Sequence, residues 1–251
     1  MPNTLLKALF LMLFFFSGAG LAFAACEDEA RPHVNWASCD FTGKSFKNMD
    51  LSDAIMTSAI FDGADFSGAI LNNADFNFAS LNNTRFDGAR MSNTRLVSVK
   101  AEGASFIKAI LDNSRLSRAL LNNADFTGIR ADNANFYEAK LESALFIDAR
   151  LNKANFERSN LTRANFKRSQ LDSSVFRSAR LHQSTFNGAD MNKAILDKSD
   201  CRDADFSEAD LSKASFREAE IEESIFTGAI LKDTTWSNYK RCRASSIGIC
   251  K

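Results

Sequence analysis

The chain contains 251 residues, of which 45% are hydrophobic and 25% are charged, and its 31 basic side chains balance 31 acidic ones. This composition is typical of a globular protein with a sizeable core. A net charge of zero argues against general affinity for nucleic acid, which requires a surplus of Lys and Arg. Phenylalanine occurs 23 times, but tyrosine, tryptophan and proline occur twice each, a bias that suggests an internal repeat.

Residues 1–25 are predicted to be a signal peptide, because Lys7 precedes an apolar run at residues 8–16 and small residues follow. The stretch 22–24 fits cleavage after Ala24, whereas Phe23 to Cys26 also resembles a lipobox in which Cys26 would be acylated. An uncleaved anchor is least favoured, since Ser and Gly residues interrupt the apolar stretch. We therefore expect a periplasmic or secreted protein without a transmembrane span in its mature chain. A lipid anchor through Cys26 is the alternative.

A period of five runs without a break from Phe41 to Trp236, with a mostly large apolar residue at every fifth position. We call these positions the centres. The residue two before each centre is nearly always small. Helices and strands have periods of 3.6 and 2.0, so neither explains this pattern. All eight glycines of the stretch lie two residues after a centre, where asparagine is also frequent, which predicts a turn with positive φ at that position.

Blocks such as Ala64-Asp65-Phe66-Ser67-Gly68 resemble the pentapeptide-repeat family, and the resemblance covers about 200 of the 251 residues. It implies an all-β fold, a right-handed quadrilateral β-helix in which four pentapeptides form each of about ten 20-residue coils. The corresponding domains are the signal peptide, an N-terminal cap at 26–38, the β-helix at 39–238 and a C-terminal cap or tail at 239–251. At about 4.8 Å between coils, the rod should be about 48 Å long.

Residues 20 apart should therefore stack in columns along the rod. One interior column is predicted to contain ten phenylalanines, namely Phe46, Phe66, Phe86, Phe106, Phe126, Phe146, Phe166, Phe186, Phe206 and Phe226. On one edge, Asn73, Asn93, Asn113 and Asn133 are predicted to form a hydrogen-bonded amide ladder.

Four of the five cysteines lie near the ends of the repeat. In a rod of this length, pairing between opposite ends is impossible, which leaves disulfides Cys26–Cys39 and Cys242–Cys250. Export permits such disulfides. Acylation of Cys26 would leave Cys39 without its partner. Cys201 occupies a centre and is predicted to be a buried free thiol.

The sequence indicates no catalytic residue, cofactor or metal site, and we do not expect an enzyme. His33 and His182 do not converge with a cysteine pair at metal-ligand spacing. The many aspartates before centres recur because the repeat recurs, and they are expected to bond backbone near the turns or to face solvent.

Charge is segregated along the chain. Residues 26–75 carry a net charge of −6, residues 85–118 and 138–180 carry +4 each, and residues 197–223 carry −6. The basic middle contains a candidate partner-binding band, consisting of Arg90, Arg130, Arg150, Arg158, Arg163 and Arg168. It could attract an acidic protein or anionic lipid. The alternative is that these charges are solvated and balanced between coils.

These features favour an exported, non-enzymatic interaction or scaffold module for an unidentified protein or envelope partner. One alternative implied by the family is a DNA mimic that binds a topoisomerase, but the basic centre and the signal peptide argue against it. A secreted effector is a further alternative. The short C-terminal tail has no long apolar helix, so we expect a monomer. Because the net charge is zero, we do not expect the protein to bind nucleic acid.

Overall fold

The computed structural model describes residues 26–251, so the predicted signal peptide lies outside the described residues. In residues 26–251 there is no helix and no continuous strand. Isolated parallel bridges occur instead at every fifth residue from Asn35 to Thr235, and each joins residues 20 apart. Four bridge positions therefore recur in each 20-residue coil, and the coils stack ten times into a solenoid. Since the described chain has no helix, it also has none that could cross a membrane.

Each side of a coil has a single bridge because two of its five residues form a turn. At Phe66, the carbonyl accepts the N–H of Ala69 at 3.0 Å, and Gly68 between them has a φ of 68°. A positive φ at the third residue is the geometry of a type II turn. The all-β prediction therefore holds as backbone pairing between coils, without extended strands in the described residues.

The positive φ occurs two residues after every centre from Phe41 to Leu231, at the turn position predicted from glycine and asparagine, whereas after Trp236 it falls on Tyr239. However, Phe78, Lys108 and Arg118 also adopt it, with φ of 63°, 57° and 60°. This conformation costs a residue other than glycine about 1–2 kcal/mol. Hydrogen bonds on both sides maintain it: Lys108 N–H donates to Thr127 at 2.9 Å, and the next N–H closes the turn. The architecture therefore imposes the turn on side chains that do not favour it.

The predicted column of ten phenylalanines is present at the centre of the rod. Consecutive rings lie 4.7–5.2 Å apart and are nearly parallel, with interplanar angles of 2–17°. Edge contacts reach across the axis, as between Phe126 and Phe136 at 5.9 Å. Offset stacking and edge-to-face contacts are the favoured arrangements of aromatic rings. The rings therefore fill the interior and also adopt favourable orientations relative to one another.

The predicted amide ladder is wrong. Asn73, Asn93, Asn113 and Asn133 are exposed, and within the described residues no hydrogen bond joins their side chains. Their φ of 58–60° explains why asparagine is used there. A ladder forms instead one residue earlier, where side-chain oxygens accept backbone N–H groups of the next coil. Its bonds run from Ser92 N to Asn72, Asp132 N to Asp112, Asn152 N to Asp132, and Asp172 N to Asn152, at 3.0–3.1 Å.

The repeating backbone begins at Asn35, within the segment assigned to the N-terminal cap from the sequence. Trp36 lies one period before Phe41 and is only 1% exposed, and its ring is 4.7 Å from that of Phe41. At the other end, the tail folds back antiparallel to the last coil, with bridges from Arg241 to Thr235 and from Ile247 to Ile230. The tail therefore covers two of the four sides.

Candidate functional site

The six arginines of the predicted basic band do not form one surface. Arg130 and Arg150 are bridge partners, and Ile110 separates them from Arg90 in the same column. Arg158, Arg163 and Arg168 occupy turn positions on three successive edges, with φ of 56–60°. The band therefore extends around the rod.

Five of the six arginines also have a carboxylate partner on a neighbouring coil. The pairs are Arg130–Asp112 at 2.7 Å, Arg150–Asp132 at 2.6 Å, Arg158–Glu138 at 3.9 Å, Arg168–Asp148 at 2.7 Å, and Arg163–Glu142. Arg90 alone has none among the described residues. Exposed pairs of this kind contribute about 0–1 kcal/mol to stability, but they compensate the charge locally. Counting charges along the chain missed them, although an acid 18–21 residues before each arginine was the available signal.

The Arg168–Asp148 pair is the most regular of these contacts. Two guanidinium nitrogens, Nε and Nη2, each donate to one carboxylate oxygen of Asp148 at 2.7 Å. This bidentate hydrogen bond lowers the pKa of Asp148, so the carboxylate remains charged and bound to Arg168 at neutral pH.

A groove of about 370 Å³ lies on the side opposite the Arg90 column. We call it the Lys140 groove. Its lining residues are Glu138, Ala139, Lys140, Arg158, Ser159, Asn160, Ser178 and Arg180. The bridges Lys140–Asn160 and Asn160–Arg180 place these three residues on successive coils of one side. Sequence reasoning identified Arg158 but missed Lys140 and Arg180. The signal available in the sequence was that these two cations are 40 residues apart, and that neither has an acidic residue one coil earlier with which to pair.

Positive charge in the Lys140 groove is only partly compensated. Glu138 accepts from Arg118 Nε at 2.8 Å and lies 3.9 Å from Arg158 Nη1. The bond from Arg118, followed by one from Tyr137, lowers the pKa of Glu138, so this carboxylate is charged. Lys140 and Arg180 have no ion pair among the described residues. The lining of the groove therefore holds three cations and one anion.

Asn160 adds unused donors to the same groove. Its Oδ1 accepts both the N–H and the hydroxyl of Thr162, at 3.3 and 2.8 Å, which fixes the orientation of the amide. Its NH2 group has no acceptor among the described residues, and neither does the hydroxyl of the exposed Ser178. The groove thus presents hydrogen-bond donors with no partner in residues 26–251.

The four terminal cysteines form the two predicted disulfides. Cys26 and Cys39 have a Cα separation of 5.5 Å, and Cys242 and Cys250 one of 4.8 Å. Cys39 and Cys242 are each 1% exposed, so both disulfides anchor terminal segments to the core. At the N-terminal end, the indole of Trp36 also donates to the carbonyl of Asp28 at 3.2 Å.

Comparison with known families agrees with this geometry. The family model described as "Pentapeptide repeat region" matches residues 32–106 and 99–176, and "Pentapeptide repeats (8 copies)" matches residues 174–212 and 194–233. The chain belongs to the pentapeptide-repeat family.

Several solved pentapeptide-repeat structures are similar to this one. HetL of the cyanobacterium Nostoc, involved in heterocyst differentiation regulation, is 22% identical; the match covers 84% of this chain and 92% of HetL, with a TM-score of 0.49. Trypsin-treated QnrB1, a plasmid-mediated fluoroquinolone resistance protein, is 18% identical, with 74% and 89% covered and a TM-score of 0.47. A protein of the Arabidopsis thaliana thylakoid lumen is 31% identical, with 33% and 65% covered and a TM-score of 0.27. No curated protein matches the chain significantly.

The remaining candidate reactive groups of this pentapeptide-repeat protein are the thiol of Cys201 and the two histidines. Cys201 is buried and free as predicted, and burial raises the pKa of its thiol to about 12. His182 Nδ1 lies 3.1 Å from the carbonyl of Arg202, and His33 is an exposed turn residue with a φ of 60°. Residues 26–251 contain no group of three or more side chains placed to hold a metal ion.

Proposed function

We propose that this protein is an exported, non-enzymatic interaction or scaffold module with the right-handed quadrilateral coil of its family. The observation that carries the proposal is the pair of disulfides, one at each end of the solenoid. Disulfides persist in oxidising compartments such as the periplasm and the extracellular space. This supports the signal peptide predicted at residues 1–25.

The N-terminal disulfide also bears on the mode of export. The sulfur of Cys26 is bonded to that of Cys39, and the same sulfur would carry the lipid of a lipoprotein. Because one sulfur cannot form both bonds, the disulfide supports a soluble mature protein. We therefore propose the periplasm or the medium as its location.

Rigidity supports a scaffold role. Every coil is tied to the next by a bridge on each of its four sides, and the phenylalanine column runs through all of them. Outward side chains are consequently held at a fixed spacing of about 4.8 Å along each column. A partner can engage such columns without ordering them first, which lowers the entropic cost of association.

Fractionation of producing cells tests the export proposal. We expect the protein in the periplasm or medium, with residues 1–24 removed and no acyl group by intact mass. Alkylation after denaturation should modify one cysteine without reductant and all five cysteines of the chain with it. Cytoplasmic protein with five free thiols would contradict export, and an acylated Cys26 in the membrane fraction would contradict the soluble form.

Crosslinking in envelope fractions tests the interaction proposal. Two triple charge reversals on opposite sides of the rod provide matched variants, Arg90→Glu/Arg130→Glu/Arg150→Glu and Lys100→Glu/Lys140→Glu/Arg180→Glu. We expect a crosslinked partner of defined stoichiometry that one variant loses at least tenfold while the other retains it. The proposal fails if the protein crosslinks to nothing, or if both variants lose the partner equally.

A further inference from the structure

We propose that the Lys140 groove is a binding site for a phosphate group, either free phosphate or a phosphomonoester. This inference goes beyond the scaffold role and does not depend on export. It rests on the uncompensated charge, the free donors and the shape of one groove.

The Lys140 groove brings unpaired cations of the basic middle together in one lining. In the predicted band, every arginine except Arg90 is engaged by an acid of an adjacent coil, as Arg150 is by Asp132 at 2.6 Å. Lys140 and Arg180 have no such partner in the described residues, although they lie on one side of the rod and line one groove. An anion bound there would replace the missing carboxylate.

The donor set favours an anion with three accessible oxygens. Four residues with hydrogen-bond donors line the groove, namely Lys140, Arg180, Asn160 and Ser178. Their donors are an ammonium, a guanidinium, an amide and a hydroxyl group. A carboxylate offers only two oxygens to these four groups, whereas a phosphate monoester offers three and carries close to two negative charges. Arginine is suited to bidentate contact with such a group.

Arg158 can contribute without leaving Glu138 unpaired. Its guanidinium lies 3.9 Å from Glu138, whereas Arg118 holds the same carboxylate at 2.8 Å. If Arg158 turns toward the groove, Glu138 keeps its shorter bond. Arg158 would then give up its long ion pair and its hydrogen bond to the Tyr137 hydroxyl at 3.0 Å for a direct ion pair with the anion.

The surroundings favour a single phosphate over an extended polyanion. Along the same column, Leu120 separates Lys140 from Lys100, and Asp200 follows Arg180 and is bonded by Arg202 at 2.8 Å. A polyanion such as nucleic acid binds a continuous track of cations. In this column, only Lys140 and Arg180 of the three unpaired cations line the groove.

An NMR titration of the purified mature protein with inorganic phosphate tests the site. The side-chain amide of Asn160 is the local reporter, and Lys140→Gln/Arg180→Gln is the test variant. The matched control, Lys100→Gln/Arg115→Gln, removes the same charge from two exposed cations outside the groove. All four residues are exposed, so we expect both variants to fold.

We expect a saturable shift of the Asn160 amide, weakened at least tenfold in the test variant and less than threefold in the control. Glucose 6-phosphate and vesicles containing phosphatidic acid, each compared with its phosphate-free counterpart, distinguish the sources of the group. Binding to either one that depends on Lys140 and Arg180 supports the site and identifies its source as soluble or lipid. A shift that never saturates, or equal weakening in both variants, would overturn the proposal.

Discussion

Ser174 is the only residue in 26–251 with a buried side-chain oxygen or nitrogen that lacks a hydrogen-bond partner. It occupies the small position two residues before a centre, where alanine is the commonest residue. Four other serines at this position bond the carbonyl three residues earlier, as Ser184 does to Leu181 at 2.6 Å. Ser114 and Ser224 bond the carbonyl 23 residues earlier. A buried hydroxyl without a partner loses its hydration and gains nothing in return.

We expect Ser174→Ala to raise the free energy of unfolding by about 1–2 kcal/mol, since it removes a buried unsatisfied group. Ser184→Ala is the matched control and should lower it by about 1 kcal/mol, because it removes a bonded hydroxyl. The measurement is the midpoint of urea unfolding for both variants and the parent. Equal destabilisation by the two substitutions would show that the Ser174 hydroxyl is bonded in solution.

Cys201 should be unreactive in the folded protein. Burial, opposed by a hydrogen bond with Ser199, raises the pKa of the thiol from 9.0 to about 12. Because the folded-state pKa is the higher one, the stabilising contribution of the neutral thiol is complete below pH 9 and declines between about pH 9 and 12.

We therefore expect no reaction with a thiol reagent at pH 8 until the chain is unfolded, when one thiol should react. Between pH 8 and 10.5, stability should fall more steeply for the parent than for Cys201→Ala. Rapid modification of the native protein would show that this centre opens, and identical pH profiles would show that the thiol does not contribute.

At the scale of single elements, the two ends of the solenoid are closed differently. The N-terminal cap is fastened by Trp36 and a disulfide across 13 residues, and the C-terminal tail by a disulfide across 8 residues. The tail leaves two sides of the last coil open, and on one of them the N–H groups of Ile221 and Glu223 have no acceptor among the described residues. The N–H groups of Phe226 and Gly228 have no acceptor among the described residues, and the Phe226 ring is only partly buried.

Loss of either disulfide should loosen its own end and spare the middle. A solenoid coil contacts only its neighbours, so stability is local. Each disulfide should contribute about 2–4 kcal/mol to the stability of its terminal coil. We expect Cys242→Ser/Cys250→Ser to lose hydrogen-exchange protection around Leu231, and Cys26→Ser/Cys39→Ser to lose it around Trp36. Each variant is the other's control, and uniform loss along the rod would contradict local stability.

At the scale of the whole molecule, charge balance is a property of columns. Acid and base 20 residues apart pair repeatedly along the rod, as in Asp75–Arg95 at 3.0 Å, Asp148–Arg168 at 2.7 Å and Lys198–Glu218 at 3.6 Å. Ion pairs between neighbouring coils therefore partly neutralise the blocks of net charge along the chain. What remains for a partner to recognise is the set of charges without such a match, including Arg90 and those of the Lys140 groove.

The sequence by itself determined the solenoid, the phenylalanine column, the turn position and the pairing of the terminal cysteines. It could do so because every contact that builds the coil recurs at a separation of 20 residues, so a period of five in side-chain size specifies the interior directly. Cys26 and Cys39 can only be neighbours at one end of such a rod.

The tertiary structure decided the polar exterior and the ends. Whether Arg130 is free or bound to Asp112 depends on how far each side chain reaches across a coil boundary, and the five-residue pattern does not contain that information. The same holds for the ladder at Asn72, because its side-chain oxygens accept backbone N–H groups, whose presence does not depend on residue type. Burial repeats with the coil, whereas each polar contact depends on the particular side chains that meet across neighbouring coils.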